Sequence, residues 1–299
     1  MCPRALSLGL LLACAAPRAT PAPEPAPSVT APVPLTEDEF KALHELSPDR
    51  APAPRGQTID LAGTRAYLSL PGGVALGGIV VVHEWWGLND HIRHWADRLG
   101  AEGYAALAVD LYGGKTAADA DLAMELMKSV DRAAAVRTLL AAHRFLASDA
   151  RARASRRAVI GWCFGGGMAL ELALAAPDLD AAVIYYGPLV TDAARLRNVR
   201  ARLLGVFGTR DEAVPPESVA AFERAASEAG LPLEVHRYDA PHAFANPSGP
   251  RYDAAAAEDA WNRVRSFLRA KLGGCEVIPG PSQAKRGGSG CEERGGRIP

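Results

Sequence analysis

Ala158-Val159-Ile160-Gly161-Trp162-Cys163-Phe164-Gly165-Gly166-Gly167 passes from a short apolar run into a glycine-rich segment, and a helical pattern continues from it to about residue 175. An apolar run of this length, bounded by glycine, reads as a strand buried on both faces. A sharp turn between such a strand and a helix lifts its central side chain above the sheet. Glycines two residues to either side let the backbone cross closely. This is the pattern of a nucleophile elbow, with cysteine in the place of serine. The helix that follows directs its first amides and the positive end of its dipole at the thiol, which favours a thiolate. A buried structural cysteine in a packing turn is the alternative.

The flanking sequence alternates strand and helix patterns. Ile79–Val82, Tyr104–Val109, Ala181–Tyr185, Leu203–Phe207 and Leu233–Tyr238 are strand-like. Ile92, Trp95, Ala96 and Leu99 recur at helical spacing, with Asn89 or Asp90 available as N-cap. Residues 117–148 form a long Ala- and Leu-rich helical region, and further helices are expected over Pro216–Ala229 and about 253–271. Strands alternating with helices predict an α/β fold, a mainly parallel sheet covered on both faces. Residues 57–70 read as an antiparallel pair at its edge. With the elbow, this predicts an α/β-hydrolase domain over about residues 56–272.

In that fold the nucleophile, acid and histidine follow one another along the chain. Asp211, in Gly208-Thr209-Arg210-Asp211, follows a strand and precedes a Pro-led helix, where it could equally serve as a turn or cap residue. Of seven histidines, only His242 lies between the last strand and the last helix. Together they suggest that His242 takes the thiol proton while Asp211 fixes its tautomer. The amide of Phe164 is one oxyanion donor, and a second should come from the loop after Ile79–Val82.

That loop reads His83-Glu84-Trp85-Trp86-Gly87-Leu88. With DLYGGK, GWCFGGG, GTRDEAVPP and APHAFANP in order behind it, the chain resembles the dienelactone hydrolase family. The separations of 48 residues from Cys163 to Asp211 and 31 from Asp211 to His242 fit the family layout. The resemblance implies a Cys163–His242–Asp211 triad, an acyl-enzyme intermediate, no cofactor, and a carboxylic ester hydrolase of carboxymethylenebutenolidase type. It implies that Glu84 interacts with the resting thiol and helps activate it, and that Trp85 donates the second oxyanion amide. A buried carboxyl has a raised pKa and could share the thiol proton. Trp86, Tyr185, Tyr186 and Phe244 are pocket-lining candidates. Family members that cleave dienelactone hold the substrate carboxylate with polar and cationic residues. Here the corresponding places offer Ala243, Asn246 and Lys115, so a neutral ester, lactone or thioester is expected.

The ends read differently. Residues 1–16 resemble an export signal, with Arg4 before an apolar run, and Leu11-Leu12-Ala13-Cys14 resembles a bacterial lipobox. Lipidation at Cys14 or plain secretion would each place the protein outside the cytoplasm, membrane-anchored in the first case. Residues 17–55 begin as a Pro/Ala-rich linker, and 273–299 read as a disordered tail. Cys275 and Cys291 in that tail could form a disulfide, which leaves Cys163 as the one cysteine of the folded domain. The net charge of −1 leaves no footprint for nucleic acid, and a monomer is expected. His83, His91 and His94 do not meet a zinc-protease spacing, and no metal site is expected. A catalytically silent binding lipoprotein on the same fold is the competing reading.

Overall fold

The computed structural model describes residues 53–273, together with Pro34, Thr36, Glu39 and Phe40. The export signal, Cys14, most of the linker, the tail and the Cys275–Cys291 pairing lie outside the described residues. β1 (Gln57–Leu61), β2 (Thr64–Ser69), β3 (Gly78–Val82), β4 (Ala105–Val109), β5 (Arg157–Trp162), β6 (Ala181–Tyr185), β7 (Arg202–Gly208) and β8 (Leu233–Tyr238) form one sheet in the order β1-β2-β4-β3-β5-β6-β7-β8. β1 and β2 pair antiparallel, as does β2 with β4, and every other pairing is parallel. The expected edge pair and parallel sheet are both present.

The helices are α1 (Asp90–Ala101), α2 (Ala120–Ser129), α3 (Arg132–Ser148), α4 (Phe164–Ala175), α5 (Ala193–Leu196), α6 (Pro216–Ala229) and α7 (Ala254–Leu272). The expected long helical region over 117–148 is two helices. It breaks because Asp131 turns its carboxylate onto the amides of Ala133 and Ala134, a cap that starts α3 afresh.

Side chains alternate across the buried strands. In β3, Val80 and Val82 join the core beneath α3, α4 and α6, whereas Ile79 and Val81 join the opposite core with Trp95 of α1 and Trp261, Val264 and Leu268 of α7. Two glycines fix the central crossing. A Cβ on Gly161 would run into the Gly165 carbonyl, and one on Gly165 into the carbonyls of Val82 and His83.

Phe40 is fully buried although it precedes the domain expected at 56. Its ring lies 4.4 Å from that of Trp95 and 4.3 Å from the guanidinium carbon of Arg98. Arg98 is itself buried and also stacks at 4.3 Å on Trp261. Part of the N-terminal extension is thus a packing element. Phe40→Ala is expected to lower the unfolding free energy by about 3 kcal/mol. Urea titration measures this, and a loss below about 1 kcal/mol would show that Phe40 merely rests on the surface.

Candidate active site

Parallel strands carry their loops at the carboxyl edge, where open α/β sheets bind ligands. Glu84 follows β3, Cys163 follows β5, Tyr186 follows β6, Asp211 follows β7 and His242 follows β8. These strands are consecutive neighbours in the sheet, so side chains far apart in sequence share one edge.

Cys163 caps α4 with φ 52° and ψ −118°, a conformation that costs a non-glycine residue energy. Its amide donates to the Tyr185 carbonyl, which ties the elbow to β6. Among the described residues, five non-glycine positions have positive φ, and Cys163, Tyr186 and Ala243 are three of them. Strain therefore gathers at this edge.

His242 and Asp211 are bonded through Nδ1 and Oδ2 at 2.8 Å. The other oxygen of Asp211 accepts from the amides of Ala213 and Val214 at 2.8 and 2.9 Å. The turn role and the histidine-orienting role are both real, one for each oxygen. Asp211 is buried, and the His242 ring packs edge-on against Tyr186 at 5.2 Å between centroids.

Glu84 is 7% exposed. Burial pushes its carboxyl up to about 7, against the opposing pull of His242, Asn246 and Arg251. Asn246 donates to Oε2 at 2.5 Å, while Oε1 has no hydrogen-bond partner among the described residues. Burial also pushes the Cys163 thiol up to about 12, helped by the nearby Glu84 and Asp211 charges. The Phe164 amide and Arg251 act in the opposite direction and are outweighed. The expected helix-stabilised thiolate is therefore not the resting state: Cys163 rests as a neutral thiol. Slow alkylation of this thiol does not separate a catalytic cysteine from a silent one.

His83 is buried with both ring nitrogens engaged. Nε2 accepts from the Leu111 amide at 3.2 Å, so Nδ1 carries the proton and donates to the Glu84 carbonyl at 2.5 Å. In a trans peptide the carbonyl and the next amide point in opposite directions. Fastening the Glu84 oxygen to His83 thus turns the Trp85 N–H away from His83.

Of the pocket candidates, Trp86 and Tyr186 line a cavity beside Glu84, whereas Tyr185 and Phe244 do not. Tyr185 is buried against Trp162, at the end of its strand, and Phe244 is buried behind Tyr186. Asn246, considered from sequence only as a lost cation, is the partner of Glu84. Arg251 is an exposed cation felt by both Glu84 and Cys163, and no motif pointed to it. His91 lines the same cavity and His94 is buried in α1. Among the described residues no group of three metal-ligating side chains comes together.

Residues 64–272 match the model of the dienelactone hydrolase family. The chain belongs to that family. A provisionally named carboxymethylenebutenolidase of Saccharolobus solfataricus is 29% identical over 249 residues, covering 70% of this chain and 95% of the relative. The solved structure named m3DLH superposes with a TM-score of 0.67 at 30% identity, covering 73% of this chain and 98% of that one. A dienelactone hydrolase-like promiscuous phosphotriesterase from metagenomic libraries gives a TM-score of 0.66 at 28% identity, covering 72% and 98%. The chain is accordingly a dienelactone hydrolase-like hydrolase with the α/β-hydrolase fold.

A carboxyl with a folded pKa above its unfolded one stabilises the fold below the ordinary value of 4.5 and loses that contribution as pH rises through about 7. Glu84→Gln removes the loss. Its stability relative to the parent is expected to improve by about 3 kcal/mol between pH 4.5 and pH 8. Denaturant titrations at the two pH values measure it, and a pH-independent difference would contradict the buried-acid account.

Proposed function

We propose that this chain hydrolyses a small, neutral carboxylic ester or lactone through Cys163, His242 and Asp211, with an acyl-enzyme intermediate. The observation that carries the reading is the strained backbone of Cys163, held between β5 and α4 on the same sheet edge as an aspartate-bonded histidine. A strained turn that sets a cysteine on the ligand-binding edge of the sheet, beside that histidine, is the arrangement a nucleophile requires.

In the proposed reaction His242 takes the thiol proton and the sulfur attacks the substrate carbonyl carbon. Charge collects on the carbonyl oxygen, where the Phe164 and Trp85 amides stabilise it. Collapse expels the alkoxide, which takes the proton held on His242. A water deprotonated by His242 then attacks the thioester, releasing the acid and returning a proton to Cys163. Glu84, balanced between its charged and neutral forms near pH 7, helps activate the thiol once substrate binds. Ala243 and Asn246 offer a substrate carboxylate no cation, which favours neutral substrates; the exposed Arg251, felt by both Glu84 and Cys163, is the charge such a carboxylate would have to reach instead.

Cys163→Ala is expected to reduce nitrophenyl acetate turnover by at least about 1,000-fold, and Asp211→Asn by a similar factor. Turnover indifferent to the loss of Cys163 would sink the proposal. His83 has the role of a positioning residue for the Trp85 amide. His83→Phe should lower kcat about 100-fold with little change in KM. His83→Asn, which keeps a donor near the Nδ1 position, should recover part of it. Equal losses in both variants, paralleled by equal losses in Tm, would mark His83 as structural only.

A further inference from the structure

Asn246 makes hydrogen bonds in two directions, and together they leave one orientation for its side-chain amide. Oδ1 accepts from the Ser248 amide at 2.9 Å, a bond that the short Asn side chain makes to the backbone two residues on. With the acceptor so occupied, the donor Nδ2 is the atom that faces Glu84 Oε2, at 2.5 Å. The backbone holds the residue in the same place. Its amide donates to the Ala243 carbonyl at 3.1 Å, and its carbonyl accepts from the Gly249 amide at 3.0 Å. Asn246 is thus fixed by its own turn as well as by its bond to Glu84.

The two oxygens of Glu84 are then unequal. Oε2 faces a group that can only donate, whereas Oε1 is buried and has no hydrogen-bond partner among the described residues. A carboxylate accepts at both oxygens, but a neutral carboxyl has one hydroxyl and one carbonyl oxygen. The carbonyl oxygen is the better acceptor, so the Asn246 donor selects Oε2 for that role and leaves the hydroxyl to Oε1. The donor is also uncharged. His242 and Arg251 favour the charged form of Glu84, while that charge opposes ionisation of Cys163 and Tyr186. A fixed cation in the place of Asn246 would hold Glu84 charged and keep a carboxylate set against the thiolate.

We infer that Asn246 is a positioning residue of the reaction: it keeps Oε2 as a standing acceptor, so that neutral Glu84 carries its proton on Oε1. The bearing of this on turnover rests on the proposed mechanism, in which Glu84 helps activate the thiol. The placement of the proton does not, because the two side-chain hydrogen bonds of Asn246 and the unpaired Oε1 carry it.

Infrared difference spectra of the whole chain at about pH 5 read the proton directly, since Glu84 is neutral there. Its carbonyl stretch is the band that disappears in Glu84→Gln. In Asn246→Leu, which is close in volume and has no donor, that band should move to higher wavenumber, because a carbonyl that loses its donor stiffens. Followed against pH, the band should also persist about one pH unit higher than in the parent, where it fades at about 7. Asn246→Ala is the second variant should the first fail to fold. A band that keeps its wavenumber places the proton on Oε2 and overturns the inference. If Glu84→Gln removes no band, Glu84 is charged and the inference falls as well. Near pH 7, kcat for nitrophenyl acetate should fall about tenfold in Asn246→Leu, with KM changed by less than about twofold. An unchanged kcat overturns the positioning role. Turnover that survives Cys163→Ala overturns the hydrolase reading, and the infrared bands still decide where the proton lies.

Discussion

Helix α4 begins in contact with the backbone of its neighbouring strands, and the site depends on that contact. Gly161 and Gly165 have no room for a side chain at this crossing, and neither does Gly166, whose Cβ would press on the Tyr185 carbonyl. The close approach leaves Cys163 to make the turn in a conformation that few residues adopt. The amide of Cys163 is held by Tyr185, and its carbonyl receives the amides of Gly166 and Gly167. The surrounding fold therefore holds the strain in place, and the thiol's position follows from backbone packing.

Once the thiol is held there, burial sets its chemistry. The positive end of α4 favours a thiolate, but desolvation and two nearby acids oppose it more strongly. Glu84 owes its raised pKa to its own burial, and its charge in turn raises the thiol, since a carboxylate beside a thiolate in a poorly solvated site is doubly unfavourable. Asn246 can hold Glu84 in place without the fixed charge that a cation would add, which leaves the carboxyl free to titrate near neutrality. Under the proposed mechanism, ionisation of Cys163 has to be coupled to substrate binding, because the resting site disfavours it.

Much of this arrangement was legible in the sequence because it is local or ordered. The elbow is written in adjacent residues, and the order of Cys163, Asp211 and His242 follows the chain. The strands were legible because their apolar runs are short and glycine-bounded. What escaped depends on contacts across the fold. Asn246 meets Glu84 from 162 residues away. His83 looks like part of a motif, and its role appears only when Leu111 fixes its tautomer. Tyr185 and Tyr186 are neighbours with the same composition signal, yet one ends β6 in the core while the other, with φ 34°, turns to the cavity. The break at Asp131 was available in the sequence as a capping residue, but the Ala-rich pattern on both sides concealed it.

The family match begins at residue 64, whereas Phe40 reaches the core from outside it. Phe40 packs on Trp95, and Trp95 is one wall of the cavity beside Glu84. Arg98 lies one helical turn along from Trp95 and sandwiches its guanidinium between Phe40 and Trp261. This stack ties α1 to α7 through Trp261. The proposed catalytic groups sit on loops at the sheet edge, but the shape of the cavity beside Glu84 draws, through Trp95, on a segment beyond the matched domain. Altering the extension would act on the cavity wall through Trp95 before it reached Cys163.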